Sequence, residues 1–570
     1  MVTLPFKTHT IHQERQVKMR VRSAIAVLFC VCFFSSTGFA SVKYYVSETG
    51  NDSDDGLSHA TAWRTLNQVN GADIEDGAKV YLNSGDTFSA QSISVHWGGS
   101  ADEYAELGCY KYTASSGEQE CSPDDPKPTI QGTFVESCRK SRTCLLDDSS
   151  AVPSQYWWGL VTIKRNYVKV SNLRLIDSAG KGVNTSRNLR HLAIENLDIE
   201  NTAHNPIQIN RGSQYLVIRN NVARLYNLCE ELNYERCQKS GWPGGIALSD
   251  SRPAHALIEN NTITEGAGEG FNCLRASHVI YRGNKAGKLR SAAIYLDNCS
   301  DSVVENNLIW GDPNNEWGTR AISAFVIALE DYGNWREDNQ VGDSSRNIIR
   351  NNIASGLERC FSAGMEPGSA DAGRKLGFEA YGNTCVGSKR RSFNLASTSF
   401  PESGVDEVKV YNNIFFGPNA SGDNKGDSRC VTHISPKISF DHNFWDTIPS
   451  LDHCVGSNDL VGNPKFVNSI SSFEQAGAQS HPNPEDFSLQ VSSPAKGMGM
   501  QLNSEMIDTQ KYEVVPAGSE SCGPLDQRAL GKDHLCRERP TNPTMGALEL
   551  GSAVKRPLPP TIIFSGLAGG

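Results

Sequence analysis

The sequence predicts an all-β solenoid, in which short strands of successive coils stack in register as parallel sheets. Three observations lead to this prediction. One motif, an apolar alternation that ends in Asn or Asn-Asn, recurs along most of the chain. The residues around it are rich in Val and Ile and alternate with period two, which favours strands. The shortest repeat units, of 23 residues, are too short for a helical repeat.

The recurring Asn marks one position in each coil, and about ten coils are therefore expected. The anchors are Asn172, Asn196, Asn221, Asn261, Asn284, Asn307, Asn352, Asn383, Asn413 and Asn443. Spacings of 23 to 25 residues suit three brief strands and three turns, and longer spacings indicate inserted loops. We expect each anchor to occupy the same bend, with its amide bonded to the amide or backbone of its neighbours.

The N-terminus has the pattern of an export signal. Basic residues precede an apolar run at 24–34, and small residues follow up to Ala40. The run is too short to span a bilayer as a permanent helix. We therefore predict a signal peptide over residues 1–40, with Met19 as an alternative start, and a secreted or periplasmic protein without a membrane span after cleavage.

Charge and cysteine usage narrow the class of protein. The net charge is −10, from 54 Lys and Arg against 64 Asp and Glu, which argues against a nucleic-acid-binding protein. Of the 16 cysteines, 14 lie beyond the signal, and no spacing resembles a zinc site. An even count in an exported chain predicts disulfides. Proximity pairs them as Cys109/Cys121, Cys138/Cys144, Cys229/Cys237, Cys273/Cys299, Cys360/Cys385, Cys430/Cys454 and Cys522/Cys536.

The distribution of the motif predicts the organisation of the chain. Residues 41–150 are expected to form an N-terminal cap and the first coils, and residues 151–470 the β-helix. Residues 471–550 lack the motif and are expected to pack on the helix. Residues 551–570 contain Pro and Gly around a short apolar patch and are expected to be a flexible tail. We expect a monomer.

Together with the Asn motif, the two ends of the chain carry a family resemblance. YYVSETGNDSDDGLSHATAWRTL at 44–66, FSLQVSSPAKGMG at 487–499 and GALEL at 546–550 resemble the terminal segments of secreted pectate-lyase-like proteins. The resemblance covers most of residues 42–550. It implies a right-handed parallel β-helix whose Asn ladder lies between the second and third strands of each coil. It also implies that the sheet of first strands forms the groove for a polysaccharide.

That frame places the first-sheet strands at 206–210, 245–249, 270–274, 293–297, 325–329 and 361–365. Strand alternation then turns Phe271, Cys273, Ile294 and Leu296 inward. The outward residues are Asn272, Tyr295 and Asp297, with Gln208 and Asn210 on earlier strands. Two long insertions, at 225–244 and 330–345, lie beside this sheet and contain tryptophans that could stack on sugar rings.

The resemblance implies elimination on a uronate polymer, in which calcium neutralises the sugar carboxylate and Lys or Arg is the base. Residues 265–298 are richest in suitable groups. The catalytic candidates are Glu269, Lys288, Arg290, Tyr295 and Asp297. The substrate-binding candidates are Asn210, Trp242, Asn272, Arg275, Arg320 and Trp335. Glu269, Asp297 and Glu330 are the candidate ligands of a possible Ca²⁺ ion. For Lys288, a surface salt bridge with Glu265 on the adjoining coil is the alternative.

One departure from the lyase pattern keeps the function open. Related lyases that act on alginate and dermatan carry a Lys on one coil and an Arg on the next, where this chain has Arg275 and Asp297. Three hypotheses follow. The chain is a lyase on an acidic polysaccharide, such as a biofilm exopolysaccharide; or a glycoside hydrolase that uses Glu269 and Asp297; or a polysaccharide-binding protein without catalysis.

Overall fold

The computed structural model describes most residues of one compact unit, Ser41–Gly570. The described residues are 41–133, 158–228, 244–311, 323–330, 342–365, 373–395, 402–417, 430–431, 435–450, 452–468, 482–501, 534, 539–540 and 543–548. The predicted signal peptide and the predicted tail lie outside them. Within these ranges, no helix is long and apolar enough to cross a membrane.

The described residues form three long parallel sheets, which confirms the predicted β-helix. The first sheet has eleven strands: Ile93–Val95, Gly159–Ile163, Lys181–Thr185, Ile207–Ile209, Gly244–Ser249, Glu269–Leu274, Ile294–Asp297, Ser323–Leu329, Arg359–Met365, Arg391–Leu395 and Cys430–Val431. Every pairing within it is parallel.

The second sheet begins close to the predicted cleavage site. Its parallel strands are Lys43–Val46, Lys79–Asn83, Ala105–Thr113, Val168–Ser171, Arg190–Glu195, Gln214–Arg219, Ala256–Glu259, Val279–Arg282, Val303–Glu305, Ser344–Arg350, Leu376–Tyr381, Val405–Tyr411 and Ile438–Asp441. Gly117–Glu120 adds an antiparallel strand at Ala105–Thr113. Coils therefore already start within residues 41–133.

The third sheet completes each coil. Its strands are Thr87–Ser89, Thr129–Gln131, Arg174–Ser178, Asp198–Thr202, Val222–Tyr226, Thr262–Gly266, Lys285–Leu289, Leu308–Trp310, Ile353–Ser355, Thr384–Val386, Ile414–Phe416, Phe444–Trp445 and Leu460–Val461. The one α-helix of the described ranges is Leu66–Gly71, and short 3₁₀ turns are His59–Thr61, Glu402–Gly404, Asp452–Cys454 and Pro484–Phe487. With 13 strands in this sheet, the coils exceed the ten predicted from the Asn motif.

The Asn-Asn motif fills two adjacent positions with different tasks. The first position has a left-handed backbone, with φ between 53° and 58° at each Asn that occupies it. This conformation costs Asn little free energy because its short polar side chain can form a local hydrogen bond with the backbone. The second position forms the buried ladder, whose members are Asn221, Asn261, Asn284, Asn307, Asn352, Asn383, Asn413 and Asn443. In each of these except the last, Asn443, the Nδ2 donates to the Oδ1 of the next Asn at 2.9–3.1 Å.

Two of the predicted anchors were assigned to the wrong position. Asn172 and Asn196 have φ of 57° and 55° and therefore belong to the left-handed position. Behind Asn196, Leu197 takes the ladder position, and its backbone N–H donates to Asn221 Oδ1 at 2.9 Å. The amide ladder of the described residues consequently starts at Asn221, because an apolar residue cannot continue it.

Asn261→Ala is expected to lower the free energy of unfolding by about 3 kcal/mol, since it leaves buried partners of the ladder unsatisfied. Asn261 Oδ1 accepts from the backbone and side chain of Asn221 at 3.1 and 2.9 Å, and its Nδ2 donates to Asn284 Oδ1 at 3.0 Å. The control is Asn260→Gly, at an exposed left-handed residue with φ of 54°. It should change stability by less than about 0.5 kcal/mol. Equal losses in denaturant unfolding would contradict this assignment.

The outer face of the second sheet carries an alternating ladder of acids and arginines. The residues in register are Glu195, Arg219, Glu259, Arg282, Glu305 and Arg350. At its centre, the two carboxylate oxygens of Glu305 accept from Arg282 Nε at 2.7 Å and from Arg350 Nη2 at 2.6 Å. These three residues are at most 2% exposed. The sequence analysis missed this ladder, although an alternating Glu or Arg precedes each Asn motif from 195 to 350.

Four of the predicted disulfides are confirmed. They join Cys109–Cys121, Cys273–Cys299, Cys360–Cys385 and Cys430–Cys454. Cys273 and Cys299 are fully buried, so this bridge lies inside the solenoid. The other three predicted pairs lie outside the described residues. Four disulfides indicate that the protein folds in an oxidising compartment.

The described parts of the C-terminal segment cover the outer face of the third sheet. Phe487, Leu489 and Met545 are buried against Leu308 and Ile353 of that sheet, in an apolar cluster separate from the solenoid core. Ala547 N–H also donates to Thr384 Oγ1 at 2.9 Å. The part of the third sheet around Leu308, Ile353 and Thr384 is therefore covered by the chain itself.

Candidate functional site

The first sheet has the strands and the orientation that the sequence predicted. All six predicted strands belong to it. Phe271, Cys273, Ile294 and Leu296 lie in the hydrophobic core and are at most 1% exposed. Their neighbours Asn272, Tyr295 and Asp297 therefore lie on the outer side of the sheet.

A polar row runs along this outer face at one register position. Its polar members are Ser94, Thr162, Asn184, Gln208, Asn272, Tyr295, Ser362 and Asn394, with Ala247 and Val326 between them. A side chain at the first residue of the strand, or just before it, repeatedly bonds to the row residue three positions later. The pairs are Lys181 with Asn184, Asn205 with Gln208, Glu269 with Asn272, and Arg391 with Asn394. These hydrogen-bonded pairs recur from coil to coil, which suits a polymeric ligand whose units also repeat.

At the middle of the sheet, Tyr295, Asp297 and Glu330 form a carboxylate cluster. Tyr295 donates its hydroxyl hydrogen to Glu330 Oε1. Asp297 Oδ1 accepts from Asn298 Nδ2 at 2.8 Å and from the Glu330 backbone at 3.3 Å. Burial, followed by the nearby charge of Glu330, raises the pKa of Asp297 well above its usual value. Asp297 therefore holds its proton to a higher pH than an ordinary aspartate.

Two more predicted residues border this cluster. Arg275 forms an ion pair with Asp250 of the preceding coil at 2.5 Å, and its charge partly offsets the raised pKa of Asp297. Glu269 accepts a hydrogen bond from Asn272 one strand before Tyr295. Burial also raises the pKa of the Tyr295 hydroxyl well above its usual value, with the carboxylates Asp297 and Glu330 adding to the effect. Tyr295 is thus a hydrogen-bond donor at neutral pH and a poor base.

Asp297→Asn should raise the thermal midpoint at neutral pH. A carboxyl group whose pKa is raised on folding costs stability as pH rises above its unfolded value, which is close to 3.8. The gain should therefore vanish below about pH 4. Asp301→Asn is the control of opposite sign. Burial raises the Asp301 pKa, but the hydrogen bond and charge of Arg346 outweigh it, so the net pKa is lowered. That variant should lose stability at neutral pH, in melting curves recorded from pH 3 to 8.

Lys288 does not lie on the first sheet. Its strand, Lys285–Leu289, belongs to the third sheet, and its Nζ lies 3.9 Å from Glu265 Oε1. This is the salt bridge that the sequence offered as the alternative to a catalytic role. Arg290 follows the same strand at the bend that leads towards the first sheet, where its backbone donates to Gly266. Trp242, Arg320 and Trp335 lie outside the described residues.

Asn210 reaches the first sheet near its N-terminal end. Its Nδ2 donates to Asn184 Oδ1 at 3.1 Å, so it contributes a carboxamide beside the polar row. The predicted calcium ligands are Glu269, Asp297 and Glu330. Glu269 bonds to Asn272, and the described residues contain no group of three or more His, Cys, Asp or Glu placed to hold a metal ion. Calcium binding stays a prediction.

The sequence analysis missed two residues near the same end of the sheet, Lys181 and His204. Burial lowers the pKa of Lys181 to about 8. Its Nζ donates a hydrogen bond to Asn184 Oδ1 at 3.4 Å. Burial and the nearby charge of Lys181 lower the pKa of His204 well below its usual value. His204 Nδ1 accepts the backbone hydrogen of Asn205 at 2.7 Å, which places the proton of the neutral ring on Nε2. No motif could reveal Lys181, because its chemistry depends on burial.

Residues 226–415 match the family model described as a right handed beta helix region. The chain carries a right-handed β-helix. The predicted fold is thereby confirmed. Among solved structures, this β-helix is similar to pectate lyase Pel9A, with 14% identity, a TM-score of 0.46, and coverage of 90% of this chain and 98% of that one.

The β-helix is also similar to XylC in complex with xylose, at 11% identity and a TM-score of 0.49, over 89% of this chain and 98% of that one. The GH136 lacto-N-biosidase from Eubacterium ramulus follows at 14% identity and a TM-score of 0.43, over 74% of this chain and 67% of that one. Comparison with the sequences of characterised proteins gives no match. Likeness at this level shows the fold alone, and function must be argued from the site.

Proposed function

We propose that the protein is an exported lyase that cleaves an acidic polysaccharide by β-elimination on the outer face of the first sheet. The observation that carries the proposal is the position of Lys181 beside Asn184, near the N-terminal end of the polar row. A base for this reaction must be neutral at working pH and within reach of an extended sugar chain. The lowered pKa of Lys181, about 8, leaves a minority of the amine neutral at pH 7 and most of it neutral above pH 8. Lys181 also retains 6% exposure, whereas Asp297 has none.

A carboxamide beside Lys181 suits a further requirement of the reaction, which is stabilisation of developing negative charge. Elimination builds negative charge on the uronate carboxylate when the adjacent carbon loses its proton, and hydrogen-bond donors stabilise that charge. Gln208 Nε2 already donates to Ile209 O and Ser249 Oγ, and Asn210 Nδ2 already donates to Asn184 Oδ1 and Thr185 O. The donor proposed to stabilise this charge is therefore Asn184 Nδ2, on the strand of Lys181. In the proposed step, Lys181 Nζ removes the proton. The carbon–oxygen bond to the next sugar breaks, a carbon–carbon double bond forms, and the proton on Lys181 becomes available to the leaving oxygen.

A glycoside hydrolase is the second candidate, and the carboxylate cluster favours it. Asp297, with its raised pKa, has the character of a general acid, and Glu330 supplies a second carboxyl group close by. Full burial of Asp297 counts against direct contact with a sugar. In the lyase, the same cluster would act as a rigid support beneath the polar row.

The purified protein should be incubated with a panel of polymers containing galacturonate, mannuronate, guluronate or glucuronate, with a neutral glucan as control. The lyase proposal predicts ultraviolet absorbance from an unsaturated uronate together with chain shortening on one or more acidic polymers. Chain shortening and new reducing ends without absorbance would favour hydrolysis and overturn the lyase. Adding calcium and then a chelator in the same assay tests the metal prediction.

A further inference from the structure

A basic cluster lies at the bend before the first sheet, near its C-terminal end. Among the described residues, Arg359, Lys389, Arg390 and Arg391 form it around the carboxylate of Glu358. Arg390 Nε and Lys389 Nζ lie 2.8 and 3.5 Å from the Glu358 oxygens. The side chains of Lys389 and Arg390 remain 41% and 51% exposed. Four cations with one acid give this face an excess of positive charge, in a chain whose net charge is −10.

Strand register places like charges directly opposite each other in this cluster. Arg359 pairs with Arg391 on the adjacent strand of the first sheet. Like charges at directly opposed positions are destabilising. Burial, with the charges of Arg390 and Arg391, lowers the pKa of the Arg359 guanidinium against the effect of Glu358. An anion held between the two guanidinium groups, on the surface of the sheet, would reduce this repulsion, which favours a bound anion over a solvated edge.

Neutral hydrogen-bonding groups accompany the arginines on the same face. Ser362 and Asn394 are the polar-row members of these two strands and lie opposite each other. Arg391 Nη1 donates to Asn394 Oδ1 at 2.6 Å, which holds the guanidinium against the row. Planar guanidinium groups with nearby hydroxyl and amide donors suit carboxylate or sulfate oxygens. The cluster therefore continues the proposed groove and is not a separate surface.

We propose that the basic cluster binds a carboxylate or sulfate group of an anionic polysaccharide that lies along the first sheet. This inference rests on the proposed function for the location of the polymer. The strand of Arg359 is six strand positions from that of Lys181. At about 4.8 Å per strand, the two sites are roughly 29 Å apart along the sheet. A polymer that reaches both gains affinity through two linked contacts, whereas a short oligosaccharide gains only one.

The test is calorimetric binding of polygalacturonate, dextran sulfate and neutral dextran to the full chain at low temperature. Arg359→Gln/Arg391→Gln should weaken binding of at least one anionic polymer tenfold or more. The matched control is Arg174→Gln/Arg224→Gln, which removes two arginines around Glu200 on the third sheet, at 3.4 and 2.9 Å. It should leave binding unchanged. Glu358→Gln removes the local acid and should tighten binding, which separates charge from any loss of folding.

The polymer whose binding is weakened by Arg359→Gln/Arg391→Gln identifies the anion. Weaker binding of polygalacturonate indicates a carboxylate, and weaker binding of dextran sulfate indicates a sulfate. The inference is overturned if neither anionic polymer binds, if neutral dextran binds as well as they do, or if both arginine pairs have the same effect. Binding is measured without any readout of cleavage. A failed elimination assay with intact, Arg359-dependent binding would therefore reject the lyase and retain the anion site, and the converse would reject the site alone.

Discussion

Glu305→Gln is expected to lower the free energy of unfolding by about 3–5 kcal/mol, which is the usual cost of removing one partner from a buried ion pair. Glu305 lies between Arg282 and Arg350, and all three side chains are 1–2% exposed. The neutral amide keeps the volume but leaves two buried guanidinium groups without their shared charge. Glu259 offsets part of the loss, because its Oε1 lies 3.5 Å from Arg282 Nη1. Denaturant unfolding followed by circular dichroism gives the measurement.

Glu200→Gln is the matched control for this prediction. Glu200 also lies between two arginines on neighbouring coils, Arg174 and Arg224, but their side chains are 46% and 50% exposed. Exposed ion pairs contribute about 0–1 kcal/mol, so little change is expected. The same geometry in two environments isolates the effect of burial. A loss at Glu305 no larger than that at Glu200 would show that the buried ladder does not stabilise the β-helix.

Lys181→Met and Lys181→Arg should each lower the elimination rate by about a hundred- to ten-thousand-fold, the usual contribution of a positioned base. Met removes the amine, and Arg keeps a positive charge that cannot be released near neutral pH. Loss in both variants would therefore show that a neutral amine is needed. Initial rates from the absorbance of unsaturated uronate provide the measurement.

The control for this pair is Lys285→Met, at an exposed position of the third sheet. Its rate should equal that of the unchanged protein, and melting curves of all three variants should show that they fold. Substantial activity in Lys181→Arg would mean that the residue supplies charge and not a base. Activity near the original level in Lys181→Met would remove it from the mechanism.

The sequence could predict the repeating architecture because most coils place similar residues at the same bend. It could not predict the number of coils, since the strands between Lys43 and Gln131 carry no Asn motif. Nor could a single Asn in the motif reveal its position. Asn196 and Asn220 both take the left-handed backbone, but Leu197 follows the first and Asn221 follows the second, so the amide ladder begins only at Asn221.

The candidate site was predictable where strand alternation decides it, and not elsewhere. Tyr295 and Asp297 lie on the outer side of the first sheet because Ile294 and Leu296 fill the core. Residues 265–298 together span strands of all three sheets, so the lysine chosen from that segment, Lys288, lies on the third. Lys181 could not be predicted because the sequence does not distinguish a buried lysine from an exposed one. Only the packing around it lowers its pKa to about 8.

The pH dependence of the elimination rate tests the central claim most directly. If neutral Lys181 is the base, kcat/KM on the cleaved polymer should rise with pH through an apparent pKa of about 8 and level off above it. The sign follows from the lowered pKa, because deprotonation supplies the reactive form. A rate that is flat from pH 6 to 9, or that falls over that range as a protonated carboxyl acid loses its proton, would contradict the account and direct attention to Asp297.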